Sequence, residues 1–251
     1  MKTLNRTQIP YLKMMIYGYG GRGKSWMAAA CPKVRTFYIY TEKQCETTIG
    51  ILERAGLIHP ESEFIHAEDS AQVWEALHYV ESNVARFHLF VFDSIDDHEE
   101  MVSAELASVF GKKTTMALED FSRNSRERDA EVQFLLAFIR NLPIHTVVIA
   151  HPLEREITVG KGKDAIKKNR MEMRFDGKKA SDTTVQKFNA VGFFDAKKKA
   201  GETERTVMFR GPSNYLLKDL PYFDDVEPAD LFALLSKHAN FYRANPAQKD
   251  E

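Results

Sequence analysis

The chain has 251 residues and a formal net charge of −1, which suits one large α/β domain and excludes a protein that is basic throughout. Any affinity for nucleic acid therefore needs a local basic patch. The two cysteines, Cys31 and Cys45, match no metal-ligand spacing and favour a reducing cytoplasm. The polar N-terminus lacks the apolar core of a signal peptide and no apolar run approaches membrane-spanning length, so we expect no membrane partner.

The first predicted elements flank a glycine-rich turn. Residues 14–17 form an apolar run that predicts a buried strand, and residues 25–31 predict the start of a helix. Between them, GYGGRGKS matches the phosphate-binding loop, in which glycines let backbone N–H groups approach nucleotide phosphates, and the strand–loop–helix order is the context that this motif requires. The predicted nucleotide contacts are Gly18, Gly20, Gly21, Arg22, Gly23, Lys24, Ser25 and Trp26.

Further predicted strands alternate with helices along the chain. Strands are expected at residues 36–40, 63–66, 88–93 and 145–150, with helices at about 45–55, 71–84 and 132–142. Two strands at 188–196 and 205–210, joined by a charged turn, and a helix at 228–240 follow. This alternation predicts a three-layer α/β fold with a mostly parallel central sheet and a C-terminal hairpin and helix, in a single domain over residues 1–251.

Polar residues that follow the predicted strands are the candidates for chemistry, because open α/β sheets bind ligands at the carboxyl ends of their strands. Asp93 ends the run LFVFD, a Walker B pattern in which the carboxylate holds Mg²⁺ together with the hydroxyl of Ser25, while Lys24 reaches the phosphates. Glu42 can act as a general base or can merely cap the next helix. His151 can contact the γ-phosphate. A lone histidine at the end of a strand is, however, more often a polar residue without a catalytic role.

The segment after the last core strand has a different composition. Residues 154–179 are rich in lysine, arginine and glycine and poor in large apolar residues, so a mobile loop or hairpin tip is expected at about 153–182. It separates a core at about 12–151 from C-terminal strands and a helix at about 183–240. Clustered basic side chains neutralise nucleic-acid phosphates without reading sequence, but a solvated hairpin without a ligand remains open.

Three motifs together resemble the RecA-type ATPase core: GYGGRGKS, FYIYTEK with Glu42, and LFVFDSI with Asp93. The sequence is more closely similar to the short, phage-encoded RecA-like ATPases of the single-strand annealing recombinase type, because VVIAHP supplies His151 and NYLLKDLP supplies a late Lys-Asp pair. The resemblance covers about residues 12–238. The family's arginine after that pair is replaced by leucine. The basic residue that would reach in trans to the nucleotide of a neighbouring subunit, the positive finger, is then expected to be Lys218, Arg205 or Arg210.

The resemblance implies an ATPase that uses ATP and Mg²⁺, with Glu42, Lys24 and His151 as its catalytic residues. It also implies a homo-oligomeric ring or filament on single-stranded DNA, acting in recombination or strand annealing in the bacterial host's cytoplasm, with a single-strand-binding protein as a further partner. Phe175 is expected to stack on a base, and residues 110–115 are a second DNA contact. The predicted DNA contacts in the basic segment are Lys161, Lys163, Lys167, Lys168 and Arg170.

Two other functions remain open at this point. A nucleotide-dependent adaptor, such as a helicase loader, would use ATP only to assemble partners. A small-molecule nucleotide kinase would use the basic segment as a lid over the phosphates. A GTPase is disfavoured because the sequence contains no guanine-reading Asn-Lys-x-Asp.

Overall fold

The computed structural model of the protein describes residues 9–109, 121–159, 166–175, 180–199 and 201–244. The strands are β1 (Lys13–Tyr17), β2 (Thr36–Tyr40), β3 (Glu63–His66), β4 (Leu89–Asp93), β5 (His145–Ala150), β6 (Pro152–Val159), β7 (Ile166–Met173), β8 (Ala190–Lys199), β9 (Glu202–Met208) and β10 (Val226–Pro228). The α-helices are α1 (Lys24–Ala29), α2 (Cys45–Arg54), α3 (Ser70–Ser82), α4 (Ile95–Val109), α5 (Phe121–Asn141), α6 (Ala180–Lys187) and α7 (Leu231–Ala244).

The main sheet has eight strands in the order β10-β9-β8-β1-β5-β4-β2-β3. The six strands from β8 to β3 are parallel, while β9 and β10 extend the sheet with antiparallel pairings. The predicted mostly parallel sheet is therefore confirmed, and the predicted C-terminal hairpin, β8–β9, is part of it.

Helices cover both faces of this sheet, so each central strand is buried on both sides. In β1, Met15 and Tyr17 pack into one apolar cluster with side chains of α3 and α5. Met14 and Ile16 point the other way, into a second cluster with side chains of α1, α2 and α7. This alternation, which follows from the two-residue period of a strand, gives the three layers that the sequence predicts.

The strand register brings the ends of the parallel strands to one edge of the sheet. Tyr17 pairs with Ala150, and Tyr40 pairs with Asp93. The loop after β1, the residues after β2 and β4, and His151 after β5 therefore meet at this edge, where ligands of open α/β sheets bind.

The basic segment forms β-structure over its described residues. Strands β6 and β7 pair antiparallel from Pro152 opposite Met173 to Val159 opposite Ile166. The sequence predicts a mobile loop or a hairpin tip here, and the paired strands match the hairpin alternative. Lys161 and Lys163, which fall between these two strands in the sequence, lie outside the described residues, as do residues 110–115.

The prediction that Phe175 stacks on a base was wrong. Phe175 is 1% exposed and belongs to the apolar cluster that contains side chains of α3 and α5, so its ring has no free face to offer. In the described parts of the chain, we find no helix of sufficient length and apolar character to cross a membrane.

Candidate active site

The glycine-rich loop curls around the ammonium group of Lys24. Its Nζ donates hydrogen bonds to the carbonyl oxygens of Gly18, at 2.6 Å, and Tyr19, at 3.1 Å. Lys24 is only 6% exposed, and burial lowers its pKa while nearby carboxylates act in the opposite direction. Gly23 has a φ of 106°, a conformation that side chains with a Cβ rarely adopt. The loop therefore has the backbone shape that its glycines predict, with a buried cation at its centre.

The predicted metal ligands lie together on the floor of the site. Asp93 is 3% exposed and accepts a hydrogen bond from the hydroxyl of Tyr38 at 2.7 Å. The thiol of Cys45 lies 3.7 Å from the Asp93 carboxylate and 3.8 Å from Ser25 Oγ. Burial raises the pKa of Asp93, and hydrogen bonds from Ser25 and Tyr38 oppose that shift.

This pair of oxygen donors fits Mg²⁺, which prefers hard ligands and commonly takes one carboxylate together with substrate phosphates. A buried carboxylate also requires compensation by positive charge, which Lys24 supplies only in part. Ser25 and Asp93 would hold the ion, and its charge would offset the charge that builds up on the phosphate oxygens.

His151 connects two acidic residues at the edge of the site. Its backbone N–H donates to Asp96 Oδ1 at 2.9 Å, and its ring Nδ1 is hydrogen-bonded to the other oxygen of the same carboxylate. The opposite ring nitrogen lies 3.4 Å from Glu42 Oε1. The hydrogen bond that the ring donates to the Asp96 carboxylate raises the pKa of His151. This histidine is therefore held in one orientation, with one nitrogen directed at Glu42.

The surroundings of Glu42 raise its pKa. Burial, followed by the negative charges of Asp97 and Asp93, raises its pKa to about 7, while His151 opposes the shift. A carboxylate with a pKa near the operating pH is well matched to proton transfer. Oxygen or nitrogen atoms of Glu42, Asp97 and His151 lie within 4.8 Å of one another, so the polar groups converge. The sequence points to Asp96 and Asp97 only through their position directly after the Walker B strand. No pattern of neighbouring residues predicts that they lie close to His151.

Arg205 lies at the phosphate loop of its own chain. Its Nε donates to the carbonyl oxygen of Arg22 at 3.2 Å, and a Cβ added to Gly23 would approach that Nε to 3.0 Å. The prediction of a finger acting in trans therefore does not fit Arg205, because β9 returns beside β8 and directs this side chain into the chain's own site. Gly23 leaves the space that the guanidinium occupies.

The other two finger candidates make contacts within the chain. Lys218 Nζ donates to the carbonyl oxygen of Phe188 at 2.6 Å. Arg210 forms ion pairs with Asp219 and, at 3.1 Å, with Asp225. Neither approaches the nucleotide cavity, which has a volume of about 250 Å³ and is lined by the phosphate loop and by Glu42, Asp93, His151 and Arg205.

The predicted DNA contacts have different surroundings in the hairpin β6–β7. Arg170 forms ion pairs with Glu172, which is fully buried, and with Asp182 at 2.9 Å. Because a buried carboxylate needs compensation, we assign Arg170 to the structural base of the hairpin rather than to DNA. Lys167 pairs with Glu156 at 2.8 Å, but both groups are exposed, and Lys168 is exposed. Such surface pairs contribute little, so both lysines remain available to a ligand.

Comparisons with known proteins place the chain in a family. A family model described as an AAA domain matches residues 11–219. No curated protein matches the sequence. Among solved structures, the crystal structure of the KaiC-like protein PH0186 from the hyperthermophilic archaeon Pyrococcus horikoshii OT3 is similar, with 14% identity and a TM-score of 0.39, over 78% of this chain and 77% of that chain. Since the family match extends over most of the chain, from before the phosphate loop to beyond Arg205, the protein belongs to the AAA domain family of P-loop ATPases.

Proposed function

We propose that this protein hydrolyses ATP to ADP and phosphate with Glu42 as the general base. The observation that carries the proposal is the position of Glu42, whose pKa is about 7, in the same cavity as the phosphate loop and within 3.4 Å of an oriented His151. A carboxylate whose pKa is raised by burial and by neighbouring carboxylates, in a cavity beside a phosphate-binding loop, is typical of a catalytic site.

In the proposed reaction, Glu42 accepts a proton from a water molecule as the water oxygen bonds to the γ-phosphorus. The bond between that phosphorus and the oxygen bridging to the β-phosphate breaks, and ADP leaves with the bonding electrons. Lys24 and Arg205 compensate the negative charge on the phosphate oxygens, since electrostatic stabilisation and positioning dominate phosphoryl transfer. His151, whose ring nitrogen lies 3.4 Å from Glu42 Oε1 and opposes the rise in the pKa of Glu42, favours the ionised state that the base needs before the reaction.

The pH dependence of the reaction follows from the pKa of Glu42. The base must be ionised, and its pKa in the free protein is about 7, so kcat/KM is expected to fall about tenfold per pH unit below that value and to level off above it. Steady-state hydrolysis at saturating Mg²⁺, measured from about pH 5.5 to 9, checks this. A profile that is flat between pH 5.5 and 7 would exclude a base with this pKa.

We also propose that hydrolysis is coupled to binding of single-stranded DNA, in recombination or strand annealing, by an oligomer of the chain. Support comes from the way in which the hairpin β6–β7 is joined to the site. The hairpin begins directly after His151, and the backbone N–H of Arg174 at its other end donates to the His151 carbonyl oxygen at 2.8 Å. Tyr17, directly before the phosphate loop, donates to Met171 O of the hairpin at 3.2 Å. A shift of His151 on hydrolysis would therefore act on both hairpin strands.

A charge-removal variant of the hairpin tests the DNA part of the proposal. Replacing Lys163, Lys167 and Lys168 with serine is expected to weaken binding to unrelated single strands. The slope of log affinity against log salt should fall by about 2, because each phosphate contact on single strands contributes about 0.7. Arg170 is kept so that the buried ion pairs stay intact. Fluorescence titrations at several salt concentrations, with and without a non-hydrolysable ATP analogue, measure this change.

The matched control carries the same loss of charge on the hairpin β8–β9, at the exposed Lys197, Lys198 and Lys199. It should retain the parent's salt slope. Equal salt slopes for the parent and the β6–β7 variant would remove this hairpin from DNA binding.

The two alternative functions predict other results. If the basic segment is a kinase lid, the β6–β7 variant should lose nucleotide affinity, and if the protein is an adaptor, DNA should not alter its turnover. Molecular mass in solution with the ATP analogue tests the oligomer.

A further inference from the structure

A second cavity lies beside the nucleotide site. It has a volume of about 300 Å³ and is formed between α1 with the residues that follow it and the start of α7. Its walls include Trp26 and Ala30 on one side and Ala229, Asp230 and Phe232 on the other. None of the groups that we place in ATP hydrolysis, apart from the phosphate-loop residue Trp26, lines this cavity.

Trp26 joins the two cavities. It directly follows Ser25, contributes to the wall of the phosphate cavity and also to the wall of the second one. Its side chain is 40% exposed, which is unusual for a residue type that is generally well buried. An indole with an open face, one residue beyond the hydroxyl that faces the phosphates, is well placed to contact the part of a nucleotide that lies beyond its phosphates.

The opposite wall is held in place before any ligand binds. The Asp230 carboxylate accepts a hydrogen bond from Ala233 N at 3.0 Å and so caps the first turn of α7. The Lys33 ammonium lies 5.3 Å from the centre of the Phe232 ring, a cation–π contact. A wall that is already ordered reduces the entropy that a ligand must lose on binding.

The second cavity is also tied to Arg205. Ala229 N donates to the Arg205 carbonyl oxygen at 3.0 Å, while the side chain of the same arginine contacts the phosphate loop. A group bound against Ala229 therefore lies next to the backbone of the arginine whose guanidinium we place on the phosphates. This arrangement suits a single ligand that occupies both cavities.

We propose that the second cavity is the subsite for the base of the nucleoside triphosphate, with the base stacked on Trp26 and enclosed by the start of α7. This inference rests on the proposed function, since it assigns the remainder of the same ligand. Aromatic side chains bind bases through their faces, and alanine substitution at such contacts costs enough to be measured in affinity. The site would thereby distinguish a nucleotide from a bare polyphosphate.

The test compares ATP with inorganic tripolyphosphate, which has the phosphates but no base. By isothermal titration calorimetry in Mg²⁺, Trp26→Ala is expected to weaken ATP binding about tenfold and to leave tripolyphosphate binding unchanged. Trp26→Phe should recover most of the ATP affinity, because it keeps an aromatic face. Ala229→Phe, which fills the cavity without altering Trp26, should also weaken ATP alone.

Tyr11→Ala is the matched control. Tyr11 is 40% exposed, as is Trp26, but it precedes β1 at the opposite edge of the sheet, so neither affinity should change. Losses of ATP and tripolyphosphate by the same factor in the Trp26→Ala variant would overturn the subsite while leaving the phosphate site intact. Unchanged ATP affinity in both the Trp26→Ala and Ala229→Phe variants, as expected of a cavity for another protein's side chain, would overturn it as well. A parent protein that binds neither compound would overturn the proposed function itself.

Discussion

Replacing Glu42 with glutamine is expected to slow ATP hydrolysis by roughly a hundredfold or more and to leave ATP affinity close to that of the parent. Glutamine keeps the size and hydrogen-bonding reach of the side chain but cannot accept a proton from water. Because removal of a negative charge near the phosphates relieves repulsion, ATP binding should not weaken. Single-turnover hydrolysis of radiolabelled ATP, with binding measured separately on the same preparation, distinguishes the chemical step from affinity.

Glu46→Gln is a suitable control for this change. Glu46 lies one helical turn further along the chain, is exposed, and is 3.6 Å from His66 rather than near the phosphate loop. Its replacement should leave the rate unchanged. Unaltered turnover in the Glu42→Gln variant would reject Glu42 as the base and would direct attention to Asp97, which receives hydrogen bonds from Ser94 and Thr41 in the same cluster.

Lys24→Met is expected to reduce ATP affinity by roughly a hundredfold or more, since it removes a buried charge that faces the phosphates. Methionine keeps much of the aliphatic stem, so the packing of α1 should persist. The substitution also leaves the carbonyl oxygens of Gly18 and Tyr19 without the Lys24 ammonium, and some rearrangement of the loop is expected. Calorimetric titration with ATP and Mg²⁺ measures the loss, and thermal unfolding without nucleotide reports on the fold.

The comparison for Lys24→Met is Lys43→Met, which removes an exposed charge close to Glu42 in sequence. That variant should bind ATP within a few-fold of the parent, because an exposed ammonium is screened by solvent and salt. If Lys24→Met bound ATP as tightly as the parent, the glycine-rich turn would not be a phosphate-binding loop, and the assignment of the cavity would fail with it.

The fold was largely predictable because the signals for it are local. The bounds of β1 to β5 agree with the predicted ones to within one residue, because buried parallel strands appear as short apolar runs, while β8 ends three residues later than predicted. Helix α4 and the first half of α5 were not predicted, because residues 95–130 lack a strong apolar repeat. Helix α6 and the short strand β10 were also missed, since a short element is stabilised by the sheet or helix on which it packs rather than by its own propensity.

The sequence by itself determined the central strands, the glycine-rich loop and the residues that end each strand, because apolar periodicity and motif spacing are properties of neighbouring residues. Only the tertiary structure decided what those residues contact. Asp96 meets His151 across 55 residues, and Arg205 reaches Arg22 across 183, because β4 lies beside β5 and because β9 lies beside β8, which borders β1. The burial of Phe175 and the pairing of Arg170 have the same origin. Strand order and register create these contacts between distant segments, and no local pattern encodes them.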